Sequence, residues 1–325
     1  MARVSSCWSV ASLAGVLTLV AACRSAGSVE PSPPDVEPPP GRAALDSSFV
    51  QTRLGSGAFR VHGPLDGVAF TPDGERIAAV SQTAGVYAFD RSTGAVLAHL
   101  PFEGDIADMA LLPDGDTMLV SGRGGVHRYS LRDAAPRDPP LLAVDTQTGA
   151  IDVDDTGERL VVTDGGASLR VLAVASGEVL ATFGGTEDYK DVAFVPGRPW
   201  VAASRSDRVG LWNWETATRE HQLPTSQIGR FAVGADGGWI AVVGYGDGPE
   251  VSVWSLDDGR RQHVLSVGST GRLASSGDGR LLLVNENTSV GVWDVQTGQR
   301  RLSLSPTSSY DRTIAVSPDG TTVAA

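Results

Sequence analysis

Basic residues of one kind are almost missing from this chain. Lysine occurs once in 325 residues, at Lys190, and the other basic side chains are arginines. Acidic residues outnumber basic ones 38 to 26, for a formal net charge of -12 spread along the chain. That balance excludes nucleic acid as a partner, because such binding needs a basic patch. Cysteine is limited to Cys7 and Cys23, both ahead of residue 48, so the rest of the chain has no disulfide and no thiol chemistry. The apolar run Trp8–Ala22 is fifteen residues long, short of the roughly 20 that a spanning helix needs. The five histidines, His62, His99, His127, His221 and His263, form no pair at ligand spacing, which argues against zinc. No Gly-x-Ser-x-Gly elbow and no phosphate loop occurs. From these gaps we expect no catalytic residue set, no bound metal and no cofactor. Glycine, in contrast, is abundant at 39 residues, as in proteins built from many short strands and tight turns.

The N-terminus reads as an export signal. Arg3 precedes the short apolar run, and the run ends in small residues, Leu19-Val20-Ala21-Ala22, before Cys23. The five residues resemble the lipobox of bacterial lipoproteins. That resemblance implies cleavage after Ala22 and a diacylglyceryl group on the Cys23 thiol, with the membrane reached through that lipid. An ordinary signal peptide cut at the same place is the alternative. Arg24, rather than aspartate, follows the cysteine, so by the same resemblance nothing signals retention in an inner membrane. Residues 1–22 are therefore assigned to the leader. Residues 23–47, with Pro31, Pro33, Pro34, Pro38, Pro39 and Pro40, are assigned to an extended or disordered tether. A proline-rich docking peptide is its other reading.

From residue 48 to 325 the chain repeats itself. An apolar-small-apolar phrase followed by a turn recurs as Val68-Ala69-Phe70, Met109-Ala110-Leu111, Ile151-Asp152-Val153, Val192-Ala193-Phe194, Phe231-Ala232-Val233, Leu273-Ala274-Ser275 and Ile314-Ala315-Val316. The turn glycines, Gly74, Gly115, Gly157, Gly197, Gly237, Gly279 and Gly320, are 40 to 42 residues apart. Each unit predicts four short strands. The first ends at a turn such as Thr71-Pro72-Asp73-Gly74, where proline presets φ and glycine accepts the left-handed position. Four strands in about 40 residues match one propeller blade. The Pro-Asp-Gly turns and Trp212-Asn213, Trp254-Ser255 and Trp293-Asp294 resemble the WD-repeat family. The resemblance implies an all-β, seven-bladed β-propeller of four-stranded antiparallel blades. It is divergent: of the family's Asp-His-Ser-Trp cluster, one unit keeps Ser204, Asp207 and Trp212.

Six units are complete, and the seventh stops after a second strand near Thr321–Ala325. We expect Phe49–Leu54 and Ala58–Val61 to supply its missing strands, so that the last blade is shared between the two ends of the chain. A longer protein with further units is the alternative. Propellers usually bind through the loops on one face, which here carry Arg123, Tyr189, Arg205, Asp207, Tyr245 and Tyr310 as candidate partner contacts. Asp152–Glu158 resembles a calcium loop in its acidic spacing, but it occupies a turn found in every unit. The expected function is a lipid-anchored, non-catalytic platform for a protein partner at the cell envelope. The alternative is a propeller enzyme, lactonase-like or quinoprotein-dehydrogenase-like, with its site at the channel mouth.

Overall fold

The computed structural model describes residues 6–7, 10–12, 17–18, 52–53, 59–61 and 65–324, apart from 102–104, 165–167, 186–187, 225–229, 246–247, 270, 287–288 and 305–312. It is all-β, with no helix among the described residues. The first sheet pairs Gly67–Phe70, Arg76–Ser81, Gly85–Asp90 and Val96–Leu100 in sequence order, each antiparallel to the next. Three more four-stranded sheets repeat this meander. They start at Asp191–Val195, Phe231–Val233 and Leu273–Ser275.

The second and third units differ from expectation. They form one six-stranded sheet, because Ala135–Val153 runs unbroken as the last strand of one unit and the first of the next. The link between those strands, Val144-Asp145-Thr146-Gln147, has no proline or glycine to turn the chain, so the backbone stays extended.

The turn after each first strand explains the repeat. Its seven glycines have φ between +65° and +72°, a region closed to most side chains. In the first unit the Gly74 amide donates to the Thr71 carbonyl at 2.8 Å, and the Thr71 amide donates to Arg76 at 3.0 Å. The same closure recurs from Gly115 to Leu112, Gly237 to Gly234, Gly279 to Ser276 and Gly320 to Ser317. Turn hydroxyls bond to the turn aspartates. The Thr71 hydroxyl holds the Asp73 carboxyl below the usual carboxylate range, and the Ser276 hydroxyl does the same for Asp278.

The second strand of each sheet is buried on both faces. Leu282 and Val284 pack with Trp239 and Val251 of the preceding sheet, whereas Leu283 between them packs with Ile314 and Val323 of the following one. Val161 and its neighbours Leu160 and Val162 divide in the same way between two other cores. Side chains alternate along a strand, so a strand covered on both sides must be apolar throughout. Each such residue contributes ~1.5–3 kcal/mol on burial. Every pair of successive units shares such a core, and the series returns to its start. Ala324 of the C-terminal strand lies in one core with Ile77 and Phe89 of the first sheet. The first strands of successive units also lie side by side, and Ala315–Val316 lies beside both Leu273–Ser275 and Gly67–Phe70.

The strand that flanks Thr322–Ala324 is Val10–Ser12, antiparallel, and not Phe49–Leu54. The edge of Thr322–Ala324 is thus taken by Val10–Ser12. Within the expected pair of strands, Thr52–Arg53 runs parallel to Leu17–Thr18, and Arg60–Val61 pairs with Ser6–Cys7. Phe49–Gln51 and Leu54 lie outside the described residues. Phe59 and Val61 do join the core that contains Ala324.

A polar clamp also ties the last turn to the first sheet. The Arg91 guanidinium donates to Asp319 at 3.3 Å, to the Thr321 hydroxyl at 3.0 Å and to the Gly74 carbonyl at 3.1 Å. Arg91→Ala should lower the unfolding free energy by about 1–2 kcal/mol. A double-mutant cycle with Asp319→Ala, read by urea unfolding, should return a coupling of ~0.5–1 kcal/mol; zero coupling would separate the two ends.

Candidate functional site

The seven first strands bring together residues that no sequence motif links. Aligned on the repeated phrase, the position just before it reads Gly67, Asp108, Ala150, Asp191, Arg230, Arg272 and Thr313. Two residues further on, small residues recur at Ala69, Ala110, Ala193, Ala232, Ala274 and Ala315, and the third unit has Asp152 there. These positions share one face of their strands, because side chains alternate with a period of two. The burial pattern agrees. Asp191 and Ala193 are partly exposed, whereas the intervening Val192 and Phe194 are buried in the core between sheets. The face thus opens on the space that the first strands enclose. Three carboxyls lie on its second to fourth units and two guanidiniums on the next two.

Each carboxyl is fixed by backbone amides. Asp108 accepts the amide of Ile151 at 3.2 Å, on the neighbouring first strand, and that of Met109 at 2.9 Å. Asp152 accepts the amide of Phe194, again on the next unit, at 2.8 Å. Asp191 accepts the amide of Val192 at 3.1 Å. Two of the three therefore tie neighbouring first strands together. No direct ion pair to any of the three is present among the described residues. Arg272 acts on Asp108 and Asp191 from a distance, as Arg230 does on Asp191.

The electrostatics follow from that geometry. Burial pushes Asp152 up to about 7; the Phe194 and Val153 amides pull it down, and Asp108 and Asp191 add repulsion. Burial likewise pushes Asp191 up to about 7, against the pull of Arg272. Asp108 is raised by burial too, against the same arginine. The carboxyls are surrounded by protein, and the arginines do not fully offset the lost hydration. Interacting carboxyls of this kind titrate as a set. Asp152 and Asp191, at about 7, can hold or release a proton near neutral pH.

A cavity of about 840 Å³ opens over Asp152. Its walls come from the ends of the first strands and their turns, including Phe194, Pro196 and Val233, and from Arg159, Arg198, Trp214 and Glu215. The Arg159 guanidinium lies 5.1 Å from the Trp214 ring and bonds to Asp154 at 2.8 Å. Arg198 bonds to Asp257 and, at 3.0 Å, to the Leu256 carbonyl. Among the described residues no group of three His, Cys, Asp or Glu side chains is arranged to hold a metal ion.

No protein-family model matches the chain. No curated protein is significantly similar to it.

The loop residues expected to meet a partner do not gather into one site. Arg123 is exposed and lies 3.9 Å from Asp105. Asp207 is exposed and paired with Arg208 at 2.7 Å, and Arg205 is partly buried beside it. Tyr189 corrects the expectation: it is 7% exposed, belongs to a core, and donates its hydroxyl to the Gly184 carbonyl at 2.8 Å. Two glycines before it leave room for the chain to fold its ring inward. Tyr245 ends the strand Trp239–Tyr245 opposite Pro249, and Tyr310 and Cys23 lie outside the described residues. Ser204 and Trp212 do not form the hydrogen bond of the WD-repeat cluster; the Ser204 hydroxyl and the Trp212 indole nitrogen are buried without a partner. His99, His221 and His263 sit on the fourth strands of three different sheets. Asp152, the middle residue of the third unit's first-strand phrase, lies on that strand.

The raised carboxyls have a measurable consequence. An aspartate lifted from 3.8 to about 7 makes the folded state bind more protons than the unfolded state between those values. Its contribution to stability is present below about pH 4 and is lost as pH rises through 7. Asp152→Asn keeps the acceptor for Phe194 and removes the charge. Its melting temperature should match the parent at low pH and exceed it increasingly up to pH 8. Parallel melting curves across that range would contradict the assignment.

Proposed function

We propose that this chain is an acylated envelope lipoprotein that presents a seven-bladed β-propeller as a non-catalytic binding platform. One observation carries the propeller: Val323 packs into the core of the sixth unit, and its neighbour Ala324 packs into the core of the first. A series of sheets that is covered on both faces, and whose last member touches its first, supports a radial arrangement of seven. The lipidation of Cys23 rests on the lipobox resemblance, and the proline-rich 23–47 gives the domain reach from the membrane. The leader's removal would take Val10–Ser12 with it. The edge of Thr322–Ala324 would then be free for residues 49–54.

The platform reading assigns Asp108 and Asp152 to structure, as staples between neighbouring first strands. A second reading draws on one observation, that Asp152, whose carboxyl burial pushes up to about 7, lines a cavity, which suits a general acid or base. That reading requires Asp152→Asn to abolish a turnover.

The lipid anchor is tested by fractionation. Cys23→Ala should move the protein from the membrane to the soluble fraction, and a variant that stays with the membrane contradicts the anchor. The platform is tested by photo-crosslinkers at two exposed residues, Arg123 in the strand Thr117–Ser130 and Asp207 in the turn before Arg208–Asn213. Discrete protein adducts in the native envelope are the expected result; their absence with both probes would count against a protein partner.

A further inference from the structure

The fourth, fifth and sixth units carry the same pair of side chains on their third and fourth strands. Trp212, Trp254 and Trp293 stand opposite Arg219, Arg261 and Arg300, each at the same irregularity of the ladder. Each guanidinium lies over its indole ring, 5.6, 5.8 and 5.7 Å from the centre. All three indole nitrogens are buried without a hydrogen-bond partner. In the sixth unit the stacked arginine also holds a carboxylate. Arg300 donates to buried Glu286 at 3.1 Å, and the Ser289 hydroxyl donates to the same oxygen at 3.0 Å. A guanidinium that stacks on a ring keeps donors along its edge, so the two contacts coexist.

The fifth unit lacks that carboxylate. Its register puts Gly244 where the sixth unit has Glu286, and Glu250 where it has Ser289. A pocket of about 590 Å³ opens there. Gly244, Trp254, Arg261 and Glu250 line it, with Val242 and the fourth unit's Pro224 as apolar walls. Beyond its stack on Trp254, exposed Arg261 has no ion pair and no hydrogen bond among the described residues. Glu250 is partly exposed, and its carboxylate has no partner among them either.

We infer that this pocket takes a carboxylate from outside the chain onto Arg261, in the place that Glu286 fills in the sixth unit. The guest is a small organic acid or an acidic side chain of a partner. A guanidinium and a carboxylate form charge-assisted hydrogen bonds, the stronger class. The unpartnered indole N–H of Trp254 is a further donor on the same wall. Glu250 opposes the guest by like charge and limits its affinity. Such a pocket goes beyond the platform reading, because it lies between two units and away from the exposed residues Arg123 and Asp207.

The test is titration of the full-length chain in detergent, with the indole N–H resonances of its seven tryptophans followed by heteronuclear NMR and that of Trp254 assigned through Trp254→Phe. Butyrate and acetyl-Gly-Glu-Gly-amide supply the carboxylate; butyramide and acetyl-Gly-Gln-Gly-amide are the neutral controls. The Trp254 resonance should move with the first pair and stay with the second. Arg261→Gln should weaken the binding ~10-fold or more, the scale of one charged hydrogen bond. Gly244→Glu, which gives the unit a carboxylate of its own, should abolish it, and Glu250→Gln should strengthen it several-fold. If Gly244→Glu melts early, the exposed site of Arg261→Gln decides alone. Butyrate binding as tightly as the acidic peptide identifies a free acid as the guest, and tighter peptide binding identifies a partner's side chain. A Trp254 resonance that ignores both carboxylates, equal shifts with the neutral controls, or undiminished affinity in Arg261→Gln overturns the inference. The crosslinking at Arg123 and Asp207 does not involve this pocket, so a failure here is distinguishable from a failure of the platform.

Discussion

Burial of the second strands on both faces is the constraint from which the rest follows. A sheet with one apolar face can end a domain by turning its other face to water. The strands Arg76–Ser81, Arg159–Asp164, Trp200–Ser204 and Leu281–Glu286 do not allow that, because residues of both parities are buried. Each sheet therefore needs a neighbour on either side. A linear stack would leave two apolar faces exposed at its ends. Packing the last unit against the first removes both, and the cores that contain Val323 and Ala324 do this with two adjacent residues on one strand.

The same geometry creates the polar centre. When sheets pack face to face around a common point, their first strands converge and the side chains there lose room. Small residues satisfy that limit at Ala69, Ala110, Ala193, Ala232, Ala274 and Ala315. Asp152 departs from it, and Asp108 and Asp191 stand one layer away with Arg230 and Arg272 in the neighbouring units. Side chains that stabilised packing alone would be apolar here. Asp108 and Asp152, held by amides of the next unit, tie neighbouring first strands together.

Much of the architecture was legible in the sequence. The spacing of the turn glycines located the first and second strands, because only glycine holds the φ near +70° that these turns require. The four short strands expected per unit are observed as separate four-stranded sheets in four of the units. The fused strand Ala135–Val153 was not foreseen, since a missing turn signal is harder to read than a present one. Nor was the pairing of Val10–Ser12 with the C-terminal strand: partners distant in sequence leave no local pattern. The site was hidden for a related reason. Asp108, Asp152, Asp191, Arg230 and Arg272 fall at different points of the chain, and only alignment of the repeats shows that they share a face. The loop tyrosine at 189 misled because a tyrosine in a connection can turn inward when glycines give it space.

Pulsed electron-spin resonance between labels at Glu75, in the first turn, and Asp319, in the last, tests the central claim most directly, in a chain whose Cys7 and Cys23 are replaced by serine. A side-chain carbon placed on Gly74 would lie 3.6 Å from Pro318, so the first and last turns adjoin and the account requires a single short and narrow distance. A long or broad distribution in the folded protein would mean that the last unit does not cover the first, and the cyclic packing would be refuted.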